Sequence, residues 1–518
     1  MDVEAFLERT EARRLAVAQG LDPGTRAGLG QYFTPAPVAD FLASLLRLPT
    51  SGPFSLLDPG AGVGSLSAAV VARVLRDRPD LELTITAFEM DEGLIPHLRA
   101  TLADAETLAA AMGRRVLASV VHGDFVEWAA EQSTLNGERQ PGFAACIMNP
   151  PYRKVNNGGR DRRALERIGL RVTNLYPAFM ALAAELLEPH GQLSAITPRS
   201  FANGPYFEPF RRFFLARMGI ERLHVYEKRG EVFADADVLQ ENVVMLATRG
   251  AAGATVILSS GEGFADVPRC REVPYDEVVR PDDPHRFVRI PVEADATEIA
   301  EMMAALPQTL LGLGVQVSTG RVVDFRSAEH LRDAPDGSTV PLIYPGHLGD
   351  FRVPWPPASS RKPTAIVLNQ ETRPLLVPSG TYVLVKRFTA KEERRRVVAA
   401  VLDPADVTAS WFGIENHLNV FHRDGRGIEP TLARGLAAFL STTTVDRFVR
   451  QFSGHTQINA TDLRHLRYPA AEELWAIGRA VESGGWPTDQ RGTDNLIAEH
   501  VEAWPAQPSD DLIYAAES

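Results

Sequence analysis

Phe54-Ser55-Leu56-Leu57-Asp58-Pro59-Gly60-Ala61-Gly62-Val63-Gly64 decides how this chain folds. A short apolar strand runs into a glycine-rich turn, and Ser65 to Arg76 then reads as a helix. A second apolar run, Leu83 to Phe88, ends in Glu89-Met90-Asp91. Gly-x-Gly-x-Gly by itself is equally a plain tight turn, but an acid closing the second strand makes the unit the first half of a Rossmann-like α/β sheet. In that arrangement Gly60 and Gly62 let the backbone approach a ligand, and Glu89 accepts from ribose hydroxyls. Asp58 at the head of the turn is a poor neighbour for a pyrophosphate and a good one for an ammonium group, directly or through water. The expected ligand is therefore an adenosine carrying an amino acid, S-adenosylmethionine.

Two further strands follow. Arg115 to Val121 leads to His122-Gly123-Asp124-Phe125. Asp124 reads either as an acceptor for an adenine amino group, with Phe125 packed beside the ring, or as the N-cap of a helix over Val126 to Glu131. Phe143 to Met148 is a buried strand that stops at Asn149-Pro150-Pro151-Tyr152. The prolines stiffen the loop and remove two N–H groups, so the Asn149 side chain and the Pro150 carbonyl present two acceptors side by side. Two fixed acceptors suit an exocyclic amino group with two N–H donors, and Tyr152 offers a face for a planar group to stack on. Upstream, Gly30-Gln31-Tyr32-Phe33-Thr34-Pro35 precedes an amphipathic helix whose aromatic and hydroxyl residues acquire a role if they fold back on the ligand.

In this order the motifs, Gly30 to Pro35, Asp58 to Gly64, Glu89, Asp124 and Asn149 to Tyr152, resemble those of the amino-methylating DNA methyltransferases. They are most similar to the gamma group of adenine-N6 enzymes, such as the TaqI enzyme and related restriction-modification methylases. The resemblance implies a class I S-adenosylmethionine-dependent methyltransferase fold and a C-terminal mixed α/β DNA-recognition domain. It implies cofactor binding by Tyr32, Thr34, Asp58, Gly60, Gly62, Glu89, Asp124, Phe125 and Asn149. Catalysis is implied for Asn149, Pro150, Pro151 and Tyr152. It also sets Phe233 against a flipped base opposite Tyr152, where the residue otherwise reads as a core Phe at a strand end.

The expected boundaries are a helical segment at 1–29, the methyltransferase domain at 30–250, a Gly-, Pro- and Asp-rich linker with a few strands at 251–300, and a recognition domain at 301–518. Arg153 to Arg171 reads as a mobile loop facing DNA. In the recognition domain, a strand over Thr381 to Lys386 runs into Arg387, Lys391, Arg394, Arg395 and Arg396. With Lys386 they read as phosphate contacts or as a solvated charged loop. His455, Gln457 and Asn459 carry groups able to read base edges, or to cap helices. These C-terminal stretches resemble methylases of the PstI and BsuBI type.

A formal net charge of −12 over 518 residues excludes a generally basic nucleic-acid-binding protein, so double-stranded DNA must be met by local positive surface. Two cysteines exclude a disulfide framework and a cysteine-based zinc site, and no metal is expected. The start of the chain lacks a secretory pattern and no apolar run approaches the roughly 20 residues of a membrane helix, so a cytoplasmic protein is expected. No Asp-x-Glu-x-Lys cluster in the C-terminal half marks a fused nuclease, which leaves room for a restriction endonuclease as a separate partner chain. Rival readings are a methyltransferase of RNA or of protein glutamine, whose amide also carries two N–H donors, and a catalytically inactive DNA-binding relative.

Overall fold

The computed structural model describes residues 2–504 apart from 21–32, 79, 135–141, 157, 227–240, 251, 262–267, 294, 358–359, 390–392, 453–456 and 503. Two compact units divide at Val292 and Glu293.

The first unit is built on one nine-stranded sheet. Its strands are β1 (Pro53–Pro59), β2 (Glu82–Glu89), β3 (Val116–His122), β4 (Phe143–Met148), β5 (Leu187–Pro198), β6 (Met218–Tyr226), β7 (Asn242–Arg249), β8 (Thr255–Gly261) and β9 (Arg269–Pro274), in the order β3-β2-β1-β4-β5-β7-β6-β8-β9. β1 to β5 pair in parallel, and β7 runs antiparallel to both β5 and β6. Parallel strands need crossovers. The helices are α1 (Val3–Gly20), α2 (Ala36–Leu45), α3 (Ser65–Asp77), α4 (Ile95–Ala111), α5 (Phe125–Thr134), α6 (Arg160–Arg167), α7 (Leu175–Leu186) and α8 (Glu208–Leu215). Residues from α1 to α4 form one apolar cluster with the sheet, and residues from α5 to α8 form the other. The sheet is thus covered on both faces, which is why β1 and β4 read as continuous apolar runs.

The expected strands and helices up to Arg249 appear within a few residues of their sequence bounds. Two expectations do not hold. The few strands expected within 251–300 are β8 and β9, and as far as Val292 they extend the sheet and do not link separate domains, because Val256, Leu258 and Val273 have an apolar cluster to bury against. Arg153 to Arg171 is not simply a loop: it contains α6, held down by Ala164 and Leu165, both fully buried.

In the second unit Gln316–Thr319, Leu418–His422, Tyr382–Lys386, Ala399–Leu402 and Phe351–Arg352 form one five-stranded sheet, and a second sheet lies around Thr339–Ile343 and Trp411–Ile414. Helices α9 (Pro430–Leu440) and α10 (Ala471–Gly484) touch backbone to backbone. A Cβ on Gly435 would stand 2.0 Å from the Leu474 carbonyl, and one on Gly478 would stand 2.0 Å from that of Thr431. Only glycine permits that approach.

Candidate active site

β1 and β4 lie side by side, and the chain crosses from them in opposite directions, to β2 and to β5. Loops leaving the carboxyl ends of strands at such a switch point open into a crevice. Here the crevice is a pocket with about 960 Å³ of empty space including its open mouth.

The glycine turn forms one wall. Gly60, Gly62 and Gly64 have φ of +80°, +59° and +89°, and the Gly60 and Ala61 amides donate to the Phe88 carbonyl at 2.9 and 2.8 Å. A Cβ on Gly62 would come within 3.3 Å of the Phe33 ring, so the turn leaves room for that ring. Ser65, the first residue of α3, lines the pocket with a buried hydroxyl that has no partner among the described residues.

Glu89 is 6% exposed and lines the same pocket. Its Oε2 accepts from the Gly62 amide at 2.8 Å and its Oε1 from the Met90 and Asp91 amides, each at 2.8 Å. Burial raises its carboxyl above the usual range, and the three N–H groups pull the other way. Asp58, in contrast, is not part of the lining. It is fully buried at the end of β1, its Oδ2 accepts from Ser67 Oγ at 2.6 Å, and its Oδ1 has no hydrogen-bond partner among the described residues. Burial pushes this carboxyl up to about 7, against the Ser67 hydrogen bonds and helped by the charge of Glu89.

Asp124 caps a helix, the second of the readings its sequence offered, and it also lines the pocket. Its Oδ1 caps α5 by accepting from Val126 and Glu127 amides at 2.7 and 3.2 Å. Phe125 closes that end, with ring centroids 5.5 Å from Phe88 and 5.0 Å from Phe179. Asp161 of α6 joins this group: burial and then the charge of Asp124 raise its carboxyl, while Arg153, 3.4 Å away, opposes the rise.

At the end of β4, Asn149 and Pro151 reach the pocket wall. Asn149 Nδ2 donates to the buried Thr34 hydroxyl at 3.1 Å, and Asn149 Oδ1 accepts from the Tyr152 hydroxyl at 3.2 Å. Tyr152 in turn meets the fully buried Tyr176 edge-on, with centroids 6.2 Å apart. No hydrogen bond among the described residues ends on the Pro150 carbonyl.

The structure thus gathers Thr34, Gly60, Gly62, Glu89, Asp124, Phe125, Asn149 and Pro151 around one pocket, with Tyr152 beside them. Tyr32, Phe233, Lys391 and His455 lie outside the described residues. Sequence reading missed Phe33, Ser65, Arg153 and Phe179 as pocket residues. Phe33 adjoins Thr34 and Ser65 begins a foreseen helix, whereas nothing separates Phe179 from an ordinary core residue of α7.

In the second unit the basic cluster divides. Arg394 is exposed, but Arg396 is 1% exposed: its guanidinium donates to the Thr389 carbonyl and its amide to Asp446 Oδ1 at 2.6 Å. Arg395 is turned to the Ser441 carbonyl, and burial lowers its pKa. These two arginines hold a turn together, so their assignment as phosphate contacts does not stand. Arg387 donates to Gln457 Oε1 and to the Asn416 carbonyl, each at 3.3 Å, and Lys386 is half-buried. Asn459 caps a short helix, its own amide donating to Asp462 at 2.7 Å.

A family model described as Eco57I restriction-modification methylase matches residues 112–233. The chain is 38% identical over 491 residues to the type II methyltransferase M.PstI of Providencia stuartii, covering 94% of this chain and 96% of that protein. It is 39% identical over 485 residues to the type II methyltransferase M.BsuBI of Bacillus subtilis, covering 92% and 94% respectively. Among solved structures, the type IIL restriction-modification enzyme MmeI in complex with DNA is similar in fold, with a TM-score of 0.56 and 11% identity over 98% of this chain and 75% of that one. A pocket beside an Asn-Pro-Pro-Tyr loop, on a chain this similar to M.PstI and M.BsuBI along nearly its whole length, places the protein among the type II DNA methyltransferases of restriction-modification systems.

Proposed function

We propose that this methyltransferase modifies the exocyclic N6 of adenine in double-stranded DNA, with Asn149 to Tyr152 as the catalytic loop and a separately encoded endonuclease as its counterpart. The observation that carries the reading is the Asn149 amide, held at the pocket wall by Thr34 with its oxygen turned toward Tyr152.

The residues present fit S-adenosylmethionine, the cofactor of this family. The unpartnered Ser65 hydroxyl at the start of α3 and the N-terminal amides of that helix suit a carboxylate. The unpartnered Oδ1 of Asp58 suits an ammonium group reached through water. Glu89 suits ribose hydroxyls, and Asp124 with Phe125 suits adenine. Bound there, S-adenosylmethionine supplies a methyl group on a positively charged sulfur.

The protein's share of the chemistry is positioning. The amino group of a target base takes the place of the Tyr152 hydroxyl in donating one N–H to Asn149 Oδ1, and donates its second N–H to the Pro150 carbonyl. Both acceptors draw the nitrogen toward a tetrahedral form, freeing a lone pair otherwise delocalised into the ring. Tyr152, released from Asn149, offers its ring to the base. A base inside the duplex cannot reach Asn149, so the target is flipped out. Asn149 is neither nucleophile nor base: the base nitrogen takes the methyl group as its bond to sulfur breaks, the proton shed by the methylated nitrogen leaves to water, and in-line transfer between two held partners rests on proximity and electrostatics.

The test is incubation with tritiated S-adenosylmethionine and unmethylated genomic DNA, with total RNA and cell protein as parallel substrates, followed by nucleoside chromatography. Label in N6-methyladenosine from DNA is expected. Label in N4-methylcytosine would overturn the choice of base, and label confined to RNA or protein would overturn DNA as the substrate.

A further inference from the structure

The segment between the catalytic loop and α7 carries charge of the wrong sign for this chain. Residues 153–171 hold seven Lys and Arg against two acids, in a protein whose formal net charge is −12. An acidic chain gains no solubility from such a patch, whereas a polyanion is attracted to it.

Its geometry is fixed. The excursion begins directly after Tyr152 and is closed at its base: the Val155 amide donates to the Thr173 carbonyl at 2.8 Å, the Leu175 amide to the Arg153 carbonyl at 2.9 Å, and Lys154 pairs with Asn174. Ala164 and Leu165 are buried in the core, and Asp161 is turned inward to Arg153 at 3.4 Å. Those anchors set the rotation of α6. Arg160, Arg163 and Arg167, spaced i, i+3 and i+7, consequently share the exposed face, with Lys154 and Arg171 exposed beside the helix. None of these five forms an ion pair among the described residues; Arg163 donates to the Gly158 carbonyl at 2.8 Å. Of the two acids on the helix, Asp161 is spent on Arg153 and only Glu166 is left exposed among the arginines, so the face stays net positive.

We propose that the exposed face of α6 grips the phosphates flanking the target nucleotide, on the strand that delivers the base to Asn149. This rests on the DNA reading above and adds where the backbone is held. From Arg160 to Arg167 the helix advances about 10 Å, which matches about three base steps at 3.4 Å each. Guanidinium forks suit phosphate oxygens, and contacts of this kind set register without reading sequence.

The test compares the wild-type protein with R160Q/R163Q/R167Q for binding to a random-sequence duplex across a salt series. Binding of S-adenosylhomocysteine by calorimetry serves as the control for folding. Three lost phosphate contacts should flatten the slope of log Kd against log salt by about 2 to 3. Duplex affinity should fall about tenfold or more at low salt, with cofactor affinity unchanged. The charge-preserving R160K/R163K/R167K should keep the slope. Should the triple Gln variant lose cofactor binding, R167Q alone, at the exposed last turn, should lower the slope by about 1. An unchanged slope in a variant that binds cofactor normally overturns the proposal. Absence of duplex binding by the wild-type protein would instead overturn the DNA reading itself.

Discussion

Across 115 positions of sequence, the Asn149 amide donates to the Thr34 hydroxyl at 3.1 Å, which leaves Asn149 Oδ1 as the face presented to Tyr152 and to any incoming amino group. A side-chain amide can turn over, exchanging donor for acceptor. The Thr34 hydroxyl accepts from Nδ2 in the orientation that turns Oδ1 toward Tyr152. Thr34→Val keeps the shape and removes the oxygen, so kcat should fall about 10- to 100-fold, the equivalent of about 1.4 to 2.7 kcal/mol, while cofactor Kd holds. Thr34→Ser should restore most of the rate. Equal losses in kcat and cofactor affinity would assign Thr34 to the cofactor alone.

Asp58 gives the protein a pH dependence with a definite sign. Its folded carboxyl is pushed up to about 7 from an ordinary 3.8, so between these values the folded state binds the extra proton. Stability at the acid end of that window is therefore lost as pH rises through it, by up to about 1.4 kcal/mol per unit, and the loss is complete above 7. Asp58→Asn should remove this trend in thermal melts at pH 5 and pH 8. A ligand ammonium that pairs with Asp58 ionises it, so cofactor binding near pH 6 should release a proton into the buffer and near pH 8 should not. Calorimetry in two buffers of different ionisation enthalpy reads that directly.

Arg396 should behave as a structural residue. Its guanidinium and amide serve the Thr389 carbonyl and Asp446. Arg396→Gln leaves the carbonyl without its charged donor, and should cost about 2 kcal/mol and lower the melting temperature by about 4 to 8 °C. The salt dependence of DNA binding should not change. A flattened slope at full stability would return Arg396 to the phosphate contacts.

Gly435 and Gly478 set the spacing of α9 and α10. A methyl group 2.0 Å from a carbonyl oxygen cannot be absorbed by a side-chain rotation. Gly435→Ala should therefore destabilise the second unit by about 1 to 3 kcal/mol or more, read by denaturant unfolding. Adding Gly478→Ala should cost less than the sum of the two, because both act on one contact. Full additivity would mean that the helices do not move apart as a pair.

The sequence by itself determined the parts of this protein that depend on local pattern. The apolar runs Leu83 to Phe88 and Phe143 to Met148 could only be buried strands, the glycines after Asp58 could only turn, and two prolines fixed Asn149 at a strand end. Those features also announced the family and its cofactor. What only the tertiary structure decided are relationships between distant side chains. Asp58 stays behind the pocket, Thr34 orients Asn149, and Ser65 offers an unpartnered hydroxyl. In the sequence Arg394, Arg395 and Arg396 look alike, and so do Asp161 and Glu166. Burial separates them: Arg396 is consumed by a carbonyl and Asp161 by Arg153, because a charge taken out of water must find a partner.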